Sequence, residues 1–131
     1  MATVNLIQSK RSQSRAGLAF ILSYCKRENK TVYSGKKLTG GINCVAESVY
    51  QEMMSTKMRY GKTDGRMFYH LVQSFSPDEN ISPETAHEIA LKFAEREFGN
   101  SEVLVATHTD KAHIHSHFIV NSVSCENGCK L

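Results

Sequence analysis

Four of the six histidines in this 131-residue chain lie within ten residues of one another: His108, His113, His115 and His117. The segment around them alternates residue types, and alternation places every second side chain on one face of a β-strand. We therefore expect a strand over residues 113–123 with histidines on one face, preceded by an apolar strand over residues 102–108. A turn over residues 109–112 would join them as a hairpin, with His108 paired near His113.

Three imidazoles that converge at one point are costly unless they bind something. Neutral imidazoles that leave coordination positions open are typical of a catalytic metal site rather than a structural one. We expect His108, His115 and His117 to bind one divalent cation, with Asp110 and His113 placed around these ligands to orient them. His70, on another predicted strand, is expected near this site without an assigned role.

Hydrophobic periodicity predicts helices in three segments: residues 18–25, 46–53 and 86–94. Ser82, Pro83 and Glu84 favour initiation of the last helix, and Asn43 is expected to cap the second. Branched and aromatic residues predict two further strands, over residues 3–8 and 67–75. Residues 26–41 lack a period and are interpreted as a long basic loop. This order predicts one α+β domain over residues 1–131, with a mainly antiparallel central sheet covered by helices on one face.

The net charge of +3 combines two halves of opposite sign. Residues 1–66 hold twelve Lys and Arg against four Asp and Glu, whereas residues 67–131 hold four against nine. A basic half favours a phosphate-backbone partner, although solvated surface charge explains it equally well. No apolar run approaches the roughly 20 residues of a membrane span, and residues 1–10 lack the apolar centre of a signal peptide. We therefore expect a cytoplasmic protein with free thiols and no membrane contact.

Several segments together resemble conjugative relaxases, the mobilisation nucleases of the HUH endonuclease superfamily. Residues 108–123 (HTDKAHIHSHFIVNSV) look like the third motif of that family, with Ser116 where an apolar residue is usual. Residues 69–79 (YHLVQSFSPDE), the helix over 83–98 and residues 18–31 (LAFILSYCKRENKT) are similar to the family in the same order. The resemblance is strongest to the mobilisation branch whose nucleophilic tyrosine lies near the N-terminus, and Tyr24 matches that residue.

This resemblance implies an HUH relaxase-like two-layer α/β sandwich with Tyr24 as nucleophile and Mg²⁺ or Mn²⁺ on the three histidines. It implies nicking of single-stranded DNA at a transfer origin through a 5′ phosphotyrosine, with rejoining during conjugative transfer of a mobile element. Accessory relaxosome and coupling proteins would be partners, and further chain is expected after Leu131. Basic residues near Tyr24 in sequence would bind the DNA: Lys10, Arg11, Arg15, Lys26, Arg27, Lys30, Lys36 and Lys37.

Two alternatives stay open at this stage. The His113-to-Phe118 alternation also resembles histidine-triad nucleotide hydrolases, in which the middle histidine attacks a phosphate without a metal. That reading leaves His108, Asp110 and the basic half of the chain without a role. A non-enzymatic DNA-binding module with a structural zinc site that uses the cysteines is the other alternative, and it predicts no covalent DNA adduct.

Overall fold

The structure is a computed structural model that describes residues 3–7 and 13–131. Its strands are β1 (Thr3–Ile7), β2 (Val32–Tyr33), β3 (Lys36–Lys37), β4 (Thr39–Ile42), β5 (Phe68–Ser74), β6 (Val103–His108) and β7 (His115–Asn121). Its α-helices are α1 (Arg15–Cys25), α2 (Glu28–Thr31), α3 (Val49–Arg59) and α4 (Pro83–Phe98), with a 3₁₀ turn at Ala46–Ser48 before α3. No helix in the described ranges is long and apolar enough to cross a membrane.

A five-stranded sheet in the order β1-β5-β7-β6-β4 forms the centre of the fold, and all its pairings are antiparallel. Strands β2 and β3 form a separate short hairpin. The predicted α+β class with an antiparallel central sheet and flanking helices is therefore confirmed. Strand β7 pairs on both sides, with β5 and with β6, so that its side chains lie at the middle of the sheet.

Helices pack on both faces of the sheet, whereas the sequence predicted helices on one face only. Leu104 and Ala106 contact a cluster built from α1 and α3, whereas Val103 and Val105 pack with α4 on the opposite face. Alternate residues of a strand point to opposite faces, and β6 is apolar at both sets of positions. This continuous apolar run is what allows a helix layer on each side.

Helix α4 forms as its sequence predicts. The Ser82 side chain accepts a hydrogen bond from the Thr85 amide, and Pro83 occupies the first turn, where a missing amide hydrogen costs nothing. Ala86, Ala90 and Ala94 are fully buried against the sheet.

The basic segment over residues 26–41 is not a loop, contrary to the prediction. It contains α2, the β2–β3 hairpin and part of β4, which pairs with β6. These elements are two to four residues long, too short to show a period, and glycines are unfavourable in strands. Gly41 is nevertheless required, because a Cβ there would lie 2.3 Å from the Cys44 carbonyl oxygen.

Asn43 does not cap a helix as expected. It has a φ of 58°, and its side-chain amide donates to the carbonyl oxygens of Gly99 (2.7 Å) and Ser101 (2.9 Å). Asparagine tolerates this left-handed conformation better than most residues. The side chain thus joins the end of β4 to the end of α4, while α3 begins six residues later at Val49.

A buried polar network joins α3 to the sheet at the end opposite the histidines. The Lys57 ammonium has no exposed surface and donates to the Met67 carbonyl (2.7 Å), the Ser122 hydroxyl (3.1 Å) and the Asn121 side-chain oxygen. The Asn121 amide in turn donates to Glu102 at 2.8 Å. Because a buried ammonium needs partners for its hydrogens, this network specifies where α3 docks.

Candidate metal and nucleophile site

Three imidazoles converge on the α1 face of the sheet. His108 ends β6 and pairs directly with His115, and His117 is two residues further along β7, opposite Ala106. One ligand atom from each of the three rings lies within 4.8 Å of the others. The turn between the strands covers residues 109–114, longer than predicted, so His108 pairs with His115 and not with His113.

The second nitrogen of each ring is already engaged. His108 Nε2 donates to the Cys25 carbonyl at 3.0 Å, and His115 Nδ1 donates to the His113 carbonyl at 3.0 Å. His117 Nδ1 shares a 2.7 Å hydrogen bond with His70 Nε2. Metal-binding histidines in proteins almost always hold their other nitrogen in this way, since the bond selects the tautomer and orients the ring. The arrangement leaves His108 Nδ1, His115 Nε2 and His117 Nε2 available.

Burial keeps the His108 and His117 rings in the neutral form that binds metal. Burial lowers the pKa of His108, and burial together with the nearby His108 lowers the pKa of His117 to about 2. The same two effects lower the pKa of His70 to about 4. Because a neutral imidazole has the lone pair that a cation requires, the donor set fits a divalent ion with three protein ligands.

Asp110 and His113 lie beside the three rings in different ways. The Asp110 carboxylate accepts a hydrogen bond from Lys30 Nζ at 3.0 Å, while His108 Nε2 bonds the Cys25 carbonyl. This bond raises the pKa of Lys30. His113 precedes β7, and its exposed side chain lies outside the converging group of rings, while its carbonyl orients His115.

Tyr24 lies in the last turn of α1, a helix that begins where the Ser14 side chain accepts from the Gly17 amide. Its partly buried ring stacks on Phe20 with centroids 6.2 Å apart. The Arg27 guanidinium carbon and Lys30 Nζ lie 5.0 and 5.2 Å from the ring centre. Both cations lie within the distance at which a positive charge is attracted to an aromatic ring.

Two contacts attach the end of α1 to the histidine cluster. The carbonyl of Cys25, the residue after Tyr24, holds His108, and Lys30 joins the Tyr24 ring to Asp110 two residues after His108. Sequence reasoning missed both contacts. A backbone carbonyl has no residue-type signature, and Lys30 was grouped with the residues that bind DNA.

The predicted DNA-binding residues have different environments. Lys10 and Arg11 lie outside the described residues. Arg15, at the start of α1, and Lys36 and Lys37, in the β2–β3 hairpin, are exposed and free to meet a ligand. Lys26 instead donates to the Ala46 carbonyl at 2.9 Å, and burial together with Lys37 lowers its pKa.

Two further side chains that can titrate, Cys25 and His87, are buried. The Cys25 thiol is fully buried on the inner face of α1, and burial raises its pKa to about 12. His87 is buried as well and bonds the Thr107 hydroxyl at 2.8 Å, on the opposite face of the sheet from the cluster. The position of His87 on a charged helix gave no sign of this, because its burial depends on how α4 docks.

Comparison with known proteins links this geometry to a family. Residues 24–131 match the family model described as "Relaxase: MobA/VirD2-like, nuclease domain". The chain is 33% identical over 130 residues to a protein named rlx from Staphylococcus aureus, which covers 99% of this chain and 35% of that relative. A second rlx protein from that organism is 40% identical over 90 residues, 69% of this chain and 28% of the relative.

A group II intron-interrupted relaxase, LtrB, from Lactococcus lactis subsp. cremoris (strain MG1363) is 44% identical over 68 residues, 51% of this chain and 12% of that protein. The chain thus spans about a third or less of the length of these relatives. The match to the family model includes Tyr24 and all the histidines of the cluster, and it favours the relaxase interpretation over the histidine-triad and zinc-module alternatives. This chain belongs to the family of MobA/VirD2-like relaxase nuclease domains.

Proposed function

We propose that this chain is the nicking domain of a longer relaxase, in which Tyr24 cleaves single-stranded DNA at a transfer origin. The observation that carries the proposal is the convergence of three oriented imidazoles beside the end of the helix that bears Tyr24. Residues 1–131 form one nuclease domain in this proposal. The family membership supports the chemistry, the resemblance of residues 18–31 supports Tyr24 as the nucleophile, and the convergence of the three rings supports them as metal ligands.

His108, His115 and His117 would hold the divalent ion, Mg²⁺ or Mn²⁺. When bound, such an ion polarises the oxygens of a phosphodiester and offsets the negative charge that develops on them. Imidazole is a softer donor than the oxygens that Mg²⁺ prefers. We therefore expect this site to favour Mn²⁺ over Mg²⁺ at equal concentration.

The reaction begins with the Tyr24 phenolic oxygen, which attacks the scissile phosphorus. The phenolic proton leaves to solvent as a new P–O bond to tyrosine forms, the bond from phosphorus to the 3′ oxygen breaks, and that oxygen takes a proton from solvent to become a hydroxyl. Lys30 and Arg27 stabilise the negative charge on the attacking phenolic oxygen. The phosphotyrosyl bond conserves the energy of the phosphodiester, so attack by a 3′ hydroxyl rejoins the strand without a nucleotide cofactor.

Basic side chains near Tyr24 would guide the DNA to the site. Arg15, Lys36 and Lys37 are exposed, and Lys and Arg at a phosphate backbone release condensed counterions on binding. Lys10 and Arg11 are proposed to bind DNA as well. Binding should then weaken steeply as salt concentration rises. In this proposal the protein acts in the cytoplasm with accessory relaxosome and coupling proteins, during conjugative transfer of a mobile element.

The test uses labelled single-stranded oligonucleotides that carry candidate origin sequences, incubated with the protein and Mn²⁺. With the wild-type chain, denaturing electrophoresis should show a shortened strand and a protein-linked strand, and both should vanish with a chelator. Tyr24→Phe should abolish the adduct and retain DNA binding. The control Tyr33→Phe, at an exposed tyrosine of the β2–β3 hairpin, should form the adduct at the wild-type level. An adduct at wild-type level in Tyr24→Phe would refute the assignment.

A further inference from the structure

A second set of metal donors overlaps the first. The Cys25 thiol, His70 and His117 each offer a ligand atom, and these atoms lie within 4.8 Å of one another. His117 belongs to both sets, whereas Cys25 and His70 belong to this one alone. Cys25 has no exposed surface and His70 is 7% exposed, so this donor set lies deeper than the three histidines.

The two sets differ in the ions that they suit. A thiolate with two imidazoles is typical of Zn²⁺ and other thiophilic ions, whereas a set without sulfur lacks that preference. The two nitrogens of the His70–His117 pair are 2.7 Å apart, so the rings need to separate by only about 0.6 Å to reach the roughly 3.3 Å between two nitrogens on one tetrahedral ion. We propose that Cys25, His70 and His117 form a separate site for a thiophilic divalent ion such as Zn²⁺, which competes for His117 with the cation of the three-histidine set.

Binding at this site exchanges known bonds. The thiol proton leaves to solvent as sulfur bonds the ion. The proton between His70 and His117 moves to the other nitrogen of its ring, and two metal–nitrogen bonds replace that hydrogen bond. No oxidant or reductant is needed, since the ion keeps its charge. One solvent molecule completes four-coordination.

Occupation of this site would inhibit nicking, a consequence that rests on the proposed function. A neutral imidazole has one lone pair for a metal, so His117 bound through Nδ1 would carry its proton on Nε2 and could not bind the cation that acts on the phosphate. Cys25 directly follows Tyr24 in α1, so a sulfur–metal bond would also fix the end of the helix that carries the nucleophile. The three-histidine set keeps His108 and His115, which are too few to hold the catalytic cation as firmly.

Binding is measured with Co²⁺ in place of Zn²⁺, because Co²⁺ gives an absorption spectrum. The experiment uses no DNA. The wild-type protein with one equivalent of Co²⁺ should show an intense near-ultraviolet band from thiolate-to-cobalt charge transfer. Cys25→Ser and Cys25→Ala should both lose the band. Two variants are used so that the result does not depend on the folding of either one. His115→Ala should retain it, because His115 belongs only to the other set. Absence of the band from the wild type, or its persistence in both Cys25 variants, would overturn the proposal.

Competition is measured by the electron paramagnetic resonance signal of Mn²⁺ released by added Zn²⁺. Zn²⁺ can also bind the three-histidine set and displace Mn²⁺ from it directly. The test is therefore the difference between the wild type and the Cys25 variant. Cys25→Ala should raise the Zn²⁺ concentration that releases half of the Mn²⁺ by at least tenfold. An unchanged concentration would overturn the competition. Neither measurement uses DNA. Both therefore test the second metal site even if the chain does not nick DNA.

Discussion

Replacing His70 with phenylalanine should weaken Mn²⁺ binding without unfolding the protein. His70 is not expected to touch the cation in the three-histidine set, but its 2.7 Å bond to His117 Nδ1 holds that ring in place. Phenylalanine keeps a ring of similar size at a position that is 7% exposed, beside an imidazole whose centroid is 5.0 Å away. The substitution therefore removes the hydrogen bond and preserves most of the packing.

The expected magnitude follows from what that bond does. Loss of a partner that orients a metal-binding histidine typically lowers metal affinity about 10- to 100-fold. This corresponds to about 1.4–2.8 kcal/mol of binding free energy, since each tenfold change is about 1.4 kcal/mol. His70→Gln should recover part of the loss, because an amide can still bond the imidazole nitrogen.

Isothermal titration calorimetry with Mn²⁺ gives the dissociation constants, and thermal unfolding of the metal-free proteins checks that each variant folds. His87→Phe is the matched control: His87 is also buried and also bonds a side chain, but it lies on the other face of the sheet. Its Mn²⁺ affinity should equal that of the wild type. A folded His70→Phe protein that binds Mn²⁺ within twofold of the wild type would show that the bond to His117 does not hold the site together.

Two further substitutions test the site and the fold. His115→Ala removes one of three ligands, so Mn²⁺ affinity and oligonucleotide cleavage should decrease together; an unchanged titration would exclude His115 as a ligand. Lys57→Met removes the ammonium donor from three buried acceptors, two of which keep a 3.4 Å bond from a backbone amide, and should lower the free energy of unfolding by about 3 kcal/mol in urea denaturation. A loss below about 1 kcal/mol would mean that water or other donors replace the ammonium.

Much of the fold could be predicted because its longer elements carry their own patterns. Helix α4 has a cap, a first-turn proline and inward alanines, and the structure confirms each of them. The run over residues 113–123 is long enough for alternation to indicate a strand, although β7 begins at His115. Elements such as β3 and β4 show no pattern of their own, since two to four residues form a strand only when a partner strand supplies the hydrogen bonds.

The candidate site, like the fold, could be predicted only in part from the sequence. Residue type and spacing alone indicated His108, His115 and His117, because three imidazoles in this alternation have few purposes other than metal binding. The register of β6 and β7 could not be read from sequence, since it depends on the length of the turn between them.

By itself, the sequence determined which side chains are available for chemistry and which strand faces they share, because alternation is a local property of the chain. Tertiary structure alone decided what holds two of the rings: a carbonyl from α1 bonds His108, and an imidazole from β5 bonds His117. It also placed Lys30 between Asp110 and the Tyr24 ring. The contact between Cys25 and His108 joins residues 83 positions apart. The geometry of these contacts exists only once helices and sheet have packed, since no local pattern encodes the orientation of one element against another.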